Sequence, residues 1–156
     1  MVEPETAQGQ GFEPATGDGP ERSAGAARTA EVRTAYEGLL QIRRLVNGPA
    51  GTAVPAPWEL RQMPRAVALV LEASGITPSA VDAEGRRTRT GYRVAPAPSE
   101  DGRVEVTWLS PPGGGAVQEE QERLTACAAA LEPLGWGCLL YRGPRRRRFL
   151  EVEPPR

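Results

Sequence analysis

The residues in this sequence with the clearest chemical potential are arginines clustered near its C-terminus. Five of them fall within seven positions: Arg142, Arg145, Arg146, Arg147 and Arg148. Guanidinium groups stay charged at physiological pH and bind phosphate or carboxylate oxygens through paired N–H donors. The cluster therefore predicts three alternatives: a nucleic-acid phosphate contact, a contact to an acidic partner protein, or a tract that is only solvated or paired within the molecule.

A smaller basic set lies earlier in the chain and consists of Arg86, Arg87 and Arg89. It is expected to act as an auxiliary patch if the C-terminal cluster binds nucleic acid. All 19 basic residues are arginines, however, and the formal net charge is −1. This bias, together with abundant Ala, Gly and Pro, is typical of a GC-rich genome, so only the clustering of the arginines is informative.

The absence of lysine and histidine removes most enzymatic chemistry. No Schiff base and no Ser-His or Cys-His nucleophile pair is available. Three carboxylates, Glu119, Glu120 and Glu122, are grouped, but we expect them on a solvated helix face. Cys127 and Cys138 are expected to be buried, reduced thiols that form neither a disulfide nor a metal site. We therefore expect no enzymatic activity, no catalytic residue, no cofactor and no metal ion.

The arginine cluster is expected to lie at the tip of a β-hairpin. Pro144 suits the second position of a turn, which predicts a four-residue loop at residues 143–146. The strands then pair Leu139 with Leu150, Leu140 with Phe149, Tyr141 with Arg148, and Arg142 with Arg147. Arg142 and Arg147 would thus face each other as like charges, which is destabilising unless an acid of the protein or a bound anion neutralises them.

The elements before this hairpin complete the predicted fold. Residues 90–111 predict two strands around a turn signal at residues 98–102, with Val104, Val106 and Trp108 facing the core. The next segment predicts a helix with an apolar stripe formed by Val117, Leu124, Cys127/Ala128, Leu131 and Leu134. We therefore predict an α+β fold in which N-terminal helices pack on an antiparallel sheet of two hairpins flanking one helix (strand-strand-helix-strand-strand).

The N-terminal half predicts a helix over residues 29–48, with Thr29 as its cap and Asn47-Gly48 as its end. Its apolar stripe comprises Val32, Tyr36, Leu39, Ile42 and Val46. Residues 64–74 are compatible with a second helix or with a buried strand. Residues 77–85 are compatible with a helical turn or with a short strand, residues 80–82, that pairs backward through a turn at Glu84-Gly85.

Residues 1–26 are rich in Gly, Pro and acids and are expected to form a disordered acidic tail. Residues 27–156 are expected to form a single α+β domain, with a helical part at 29–75 and a hairpin-helix-hairpin part at 87–154.

The chemistry left to such a protein is binding. We expect a small cytoplasmic, non-enzymatic accessory or adaptor protein that acts through protein–protein binding or self-association, as a homodimer or with a protein partner. The alternative is a nucleic-acid-binding protein that uses the arginine-rich hairpin tip. Neither a membrane nor a small-molecule substrate is an expected partner.

Overall fold

A four-stranded antiparallel sheet, covered on one face by helices, forms the centre of the fold. The structure is a computed structural model that describes residues 12–22, 25–98 and 102–155. Within these ranges the elements are α1 (Ala26–Asn47), α2 (Pro57–Arg61), α3 (Met63–Ala73), β1 (Ala80–Val81), β2 (Arg87–Arg89), β3 (Gly91–Pro96), β4 (Val104–Leu109), α4 (Ala116–Leu131), β5 (Gly137–Arg142) and β6 (Arg148–Glu153). The predicted α+β class and the strand-strand-helix-strand-strand order are confirmed.

The strand order in the sheet is β3-β4-β6-β5, with every neighbouring pair antiparallel. Val104, Val106 and Trp108 of β4 all point to the helix-covered face and are buried, as predicted. Tyr92 pairs with Trp108 in register, and Leu150 pairs with Val106, so the same face continues across β3 and β6. Part of the predicted turn between β3 and β4, residues 99–101, lies outside the described residues.

Residues 64–74 belong to a helix and not to a strand. Helix α3 carries Pro64 in its first turn, and Gly75 follows its end with a φ of 83°. All residues from 66 to 71 are buried, because α3 packs on α1 on one side and on the sheet on the other. A helix covered on two sides needs apolar residues all round, which explains why periodicity left the two alternatives open.

Helix α4 packs across β4 and buries Leu124, Cys127 and Leu131, as predicted. The predicted stripe is wrong at its N-terminal end, however. Val117 is exposed, and Glu120 is fully buried in its place. Position 120 lies four residues before Leu124 on the same face of the helix, whereas position 117 lies toward the flank.

Helix α1 begins three residues earlier than predicted. Gly25 occupies the N-cap position, and Thr29 lies inside the helix, so the predicted Thr29 cap is wrong. The predicted end is confirmed, since Asn47 is the last helical residue and Gly48 follows it with a φ of 92°. The buried stripe contains Val32 and Leu39 but does not continue as predicted.

The predicted stripe positions Ile42 and Val46 are exposed because Arg43 occupies the buried position of that turn. Arg43 and Glu59 are both fully buried and form a two-point ion pair with N–O distances of 2.8 Å and 2.6 Å. Arg43 Nη1 also donates to the backbone oxygens of Thr52 and Leu134. This network joins α1, α2 and the segment before β5, so it fixes the helices relative to the sheet.

Residues 77–85 adopt the strand alternative. Ala80 pairs with Arg89 and Val81 with Arg87, which makes β1 and β2 a short antiparallel pair. The turn between them closes through the Gly85 N–H, which donates to Asp82 O at 2.9 Å.

Residues 12–20 form an N-terminal strap that lies along β3 and β1. The Val94 N–H donates to Thr16 O at 2.7 Å, and the Val81 N–H donates to Gly19 O at 2.9 Å. Gly17 is buried with a φ of 100°, and a Cβ there would collide with the backbone of β3. Residues 12–22 of the predicted disordered tail (residues 1–26) thus lie along the sheet, and Gly25 and Ala26 belong to the start of α1, whereas residues 1–11, 23 and 24 lie outside the described residues.

Candidate functional site

The arginine hairpin, defined as β5, β6 and the loop between them (residues 137–153), carries most of the predicted site residues. Its register is one residue away from the predicted one: Leu140 pairs with Leu150, Tyr141 with Phe149, and Arg142 with Arg148. The predicted pairs, which set Leu139 against Leu150 and Arg142 against Arg147, are therefore wrong. The loop contains one residue more than predicted because Arg147 does not pair with β5.

The loop itself is closed by the Gly143 N–H, which donates to Arg147 O at 2.6 Å. Within it, Arg145 and Arg146 adopt φ angles of 60° and 63°. This left-handed region is strained for residues other than Gly, Asn and Asp. Both arginine side chains are exposed at the tip, as predicted.

Glu120 explains the observed register. Its buried carboxylate accepts a hydrogen bond from Arg147 Nε at 2.7 Å and another from the Arg148 backbone N–H at 2.7 Å. Arg148 Nη1 lies 3.8 Å from the same carboxylate, and Arg147 Nη2 donates to Trp108 O at 2.9 Å. Glu120 of α4 therefore neutralises the two arginines at and just before the start of β6, Arg148 and Arg147, and holds the Arg147 side chain beneath the sheet.

The expectation that the three α4 carboxylates lie on a solvated face is correct for Glu122 but wrong for Glu120. Glu119 is half-buried, where it accepts a hydrogen bond from Trp108 Nε1 at 3.1 Å. The sequence contained a signal for Glu120, since it continues the stripe of Leu124 and Cys127 backward by four residues. Periodicity alone does not reveal it, because a charged residue is ordinarily solvated and is buried only where a partner neutralises it.

Three of the predicted binding arginines remain available. Arg142, Arg145 and Arg146 are exposed, and within the described ranges their guanidinium groups form no ion pair or hydrogen bond. Arg142 lies opposite Arg148 in the hairpin. The nearby Glu120 carboxylate offsets the charge of Arg148 but forms no ion pair with Arg142. The free cations of the hairpin are thus these three, which we call the cationic tip.

The second predicted basic set does not extend this tip. Arg86 pairs with Asp82 at 3.1 Å, and Arg87 pairs with Asp18 of the strap at 3.3 Å. Arg89 is half-buried in β2, which leads into β3 at the opposite edge of the sheet. Three strand spacings, about 14 Å, separate that edge from β5, so the structure does not bring the two sets together.

The two edges of the sheet differ in how they are covered. Edge strand β3 is flanked by the strap, through Thr16, and by the segment before β1, where the Tyr92 N–H donates to Thr77 O at 3.0 Å. Edge strand β5 has β6 on one side and no strand or strap on the other among the described residues. We call this uncovered side of β5 the open edge.

The side chains of the open edge are apolar and exposed. Leu139 is 49% exposed, Leu140 37% and Tyr141 42%. Leu139 and Tyr141 project from the face away from the helices, where Tyr141 stacks on Phe149 with ring centroids 5.4 Å apart. Residues 137–141 carry no charge. Before Arg142 at its end, the strand therefore lacks the charged or proline residues that usually prevent edge strands from pairing with other chains.

The two cysteines are free thiols in hydrophobic surroundings. Burial raises the pKa of the Cys127 thiol to about 12. Burial, and secondarily the charge of Glu132, raise the pKa of the Cys138 thiol to about 12 as well. Both thiols are thus protonated at neutral pH, which disfavours nucleophilic chemistry. The part of the chain that the structure describes contains no group of three or more side chains suited to a metal ion.

Comparisons of this chain with protein-family models, with curated proteins and with solved structures gave no match. Of the helices in the described ranges, none is both long enough and apolar enough to cross a bilayer.

Proposed function

We propose that this protein is a non-enzymatic accessory or adaptor protein that acts through protein–protein binding, including self-association, at the open edge of its sheet. The observation that carries the proposal is the contrast between the two edge strands: the chain itself covers β3, whereas no strand or strap among the described residues covers the outer side of β5. Unpaired strand groups form hydrogen bonds with an added strand, and neighbouring side chains provide specificity.

The exposed side chains strengthen the argument. Leu139 and Tyr141 lie on the outer face of β5 and, together with Phe149 of β6, form an apolar patch at one margin of the sheet, while Leu140 is exposed on the opposite face. Single exposed apolar residues are ordinary on protein surfaces, but a contiguous group on an open edge is typical of an interaction surface.

We further propose that the protein is cytoplasmic, and this and its non-enzymatic character have separate support. The sequence offers no lysine or histidine, and both thiols are held in the protonated form. Two free cysteines in a chain of this size are consistent with a reducing compartment.

The test is the mass of the protein in solution, measured by light scattering during gel filtration over a range of concentrations. The wild type is expected to rise from 16.7 kDa toward twice that value as concentration increases. Leu140→Arg places a charge in the middle of the open edge and should keep the protein monomeric. Leu45→Arg is the matched control, because Leu45 is 74% exposed on α1, away from the sheet.

A wild type that remains monomeric throughout would refute self-association at this edge. An equal loss of association in both variants would show that β5 is not the contact. Because Leu140 is only partly exposed, thermal unfolding of Leu140→Arg is measured in parallel, and Leu139→Arg serves as a second edge variant with a more exposed side chain.

A second candidate function is nucleic-acid binding at the cationic tip. The observation in its favour is that Arg142, Arg145 and Arg146 lie close to the Tyr141–Phe149 stack, in which Tyr141 is exposed and Phe149 half-buried. Guanidinium groups beside exposed aromatic rings are the combination with which single-stranded nucleic acids are bound, since phosphates pair with the cations and bases stack on the rings.

Titration with single-stranded and duplex DNA and RNA at several salt concentrations tests this candidate. Replacing the three tip arginines by Ser should lower affinity and flatten its salt dependence, because fewer counterions are released. The control replaces three exposed arginines of the helical part, Arg33, Arg44 and Arg61, by Ser. No binding at low salt, or the same loss in both triple variants, excludes the candidate.

A further inference from the structure

We propose that the strand which pairs with the open edge is β5 of a second copy of this chain, antiparallel and with the two-fold axis at Leu140. The inference rests on the proposed function and specifies its partner. The resulting dimer has one continuous sheet of eight strands with all helices on the same face.

The hydrogen-bonding pattern of the hairpin identifies the free backbone groups of β5. Residues of an antiparallel ladder alternate between hydrogen-bonded and non-hydrogen-bonded pairs. The Gly143 N–H donates to Arg147 O in the register of the hairpin, so the backbone groups of Tyr141 and Leu139, two and four residues before Gly143, also point to β6. The N–H and C=O groups of Cys138, Leu140 and Arg142 therefore point to the open edge.

These three residues select the register. With the axis at Leu140, Leu140 pairs with its own equivalent, and Cys138 pairs with Arg142 of the second copy in both directions. All three outward-facing residues are then hydrogen-bonded. An axis at Leu139 would oppose Arg142 to Trp136, which lies outside the strand, and an axis at Tyr141 would oppose Cys138 to Pro144, which has no N–H.

The side chains on the outer face are complementary in this register. Leu139 lies directly opposite Tyr141 of the second copy, and the converse pair lies on the other side of the axis. Because each Tyr141 already stacks on its own Phe149, the two apolar patches join into one strip across the dimer. Exposed apolar groups of one chain thus cover those of the other.

The charges on the inner face are also complementary. Arg142, which has no acidic partner within the described part of its own chain, lies opposite Cys138 of the second copy. Glu132 begins the turn Glu132–Leu134 just before β5 and is close enough to Cys138 for its charge to act on that thiol. Glu132 is exposed and forms no ion pair with a described residue. The register therefore brings an unpaired cation of one copy toward an unpaired acid of the other, twice.

The contact area is small for a permanent dimer, since it consists of one strand and its neighbouring side chains. Stable interfaces bury on the order of 1,600 Å², and smaller ones belong to transient complexes. The dimer is therefore expected to exchange with monomer as the concentration changes. The pairing of β5 with β5 of the second copy is nevertheless enough to fix the register. A shift of one residue would place side chains from opposite faces of the two sheets against each other.

Cysteine cross-linking tests the register. Leu140→Cys, in a Cys138→Ser background, should form an intermolecular disulfide on mild oxidation, because the Cα atoms of a hydrogen-bonded antiparallel pair are about 5.5 Å apart. Leu139→Cys in the same background is the matched control. Its two equivalents would be separated by two residues along the strands, beyond the roughly 7 Å that a disulfide spans.

A charge exchange tests the proposed contact between Arg142 and Glu132. Arg142→Glu and Glu132→Arg should each weaken the dimer, since each places like charges together across the interface. An equimolar mixture of the two variants should restore association, because the mixed dimer pairs opposite charges at both contacts. Light scattering of the separate and mixed variants measures this.

The outcomes separate the inference from the proposed function. Cross-linking at position 140 and recovery in the mixture support the inference. A wild-type dimer that Leu140→Arg disrupts, without these two results, overturns the register and leaves the open edge as the contact. A wild type that is monomeric at all concentrations overturns both the second copy as partner and the self-association on which it rests.

Discussion

Replacing the buried Glu120 by Gln tests most directly how the arginine hairpin is held. The substitution keeps the shape of the side chain and one oxygen acceptor but removes the negative charge. The structure gives that carboxylate two short hydrogen bonds, from Arg147 Nε and from the Arg148 N–H. Gln can satisfy one of these donors and presents an amide N–H₂ to the other.

The expected loss follows from the burial of the two partners. Hydrogen bonds to a charged group contribute about 1.5–3 kcal/mol each, and breaking a fully buried ion pair costs about 3–5 kcal/mol. The Glu120 side chain is completely buried, but that of Arg147 is 38% exposed, so water can solvate the guanidinium that is released. We therefore expect the free energy of unfolding to fall by about 2 kcal/mol.

Urea unfolding of the wild type, Glu120→Gln and Glu122→Gln measures this loss. Glu122 is exposed on the same helix, so its substitution should change the free energy of unfolding by no more than about 0.5 kcal/mol. Amide hydrogen exchange adds a local readout, because the Arg148 N–H should exchange faster once its acceptor is weakened. Equal stability of the two variants, or unchanged exchange at Arg148, would refute the role given to Glu120.

Three further predictions concern other parts of the molecule. Glu59→Gln should lower the free energy of unfolding by about 3 kcal/mol, because it leaves Arg43 as a buried, unpaired charge; urea unfolding of the double variant Arg43→Met/Glu59→Leu should show most of that loss recovered, and no recovery would contradict the pairing. Arg146→Gly should raise the free energy of unfolding by about 1 kcal/mol, since glycine adopts the left-handed conformation without strain. A lower free energy of unfolding in calorimetry would argue against this loop geometry. The free energy of unfolding should also fall as pH rises from about 9 to about 12. The thiols of Cys127 and Cys138 have a pKa near 9.0 in the unfolded chain but a pKa of about 12 in the folded protein, so their contribution to stability is complete below pH 9 and is lost as pH rises toward 12. Urea titrations at several pH values, with the reaction of the native thiols toward a thiol reagent followed in parallel, check this, and rapid native-state labelling at pH 8 would contradict it.

Local patterns were sufficient for the strands of the sheet. Val104, Val106 and Trp108 alternate with polar residues, and this period of two can be read without knowing any partner. The same is true of the end of α1, where Asn47 and Gly48 stop the helix by their own backbone preferences.

Local patterns are less informative where a charged residue is buried. The apolar spacing of α1 predicts a stripe through Ile42 and Val46, although Arg43 is the buried residue. A buried arginine is tolerated only when a partner such as Glu59 is fixed beside it, and that partner belongs to another helix. The stripe of α4 failed at Glu120 for the same reason.

The hairpin shows where local reasoning reaches its limit. A register that pairs Leu139 with Leu150 is reasonable within the hairpin alone, and it differs from the observed one by a single residue. Glu120 decides between them, because it binds Arg147 from a helix 27 residues away in the sequence. The same contact separates the arginine cluster into two anchored residues, Arg147 and Arg148, and a free cationic tip.

The sequence by itself determined the α+β class, the strand-strand-helix-strand-strand order along the chain and the lack of histidine and lysine chemistry, because composition and short-range periodicity are properties of the chain. The tertiary structure alone decided which charges are buried, which register the hairpin adopts and which edge of the sheet stays open. These depend on partners distant in the sequence: Glu120 for the hairpin, Glu59 for Arg43, and Thr16 of the strap for β3. Desolvation makes an unpaired buried charge too costly to keep, so each such partner must be present before the local pattern can be interpreted.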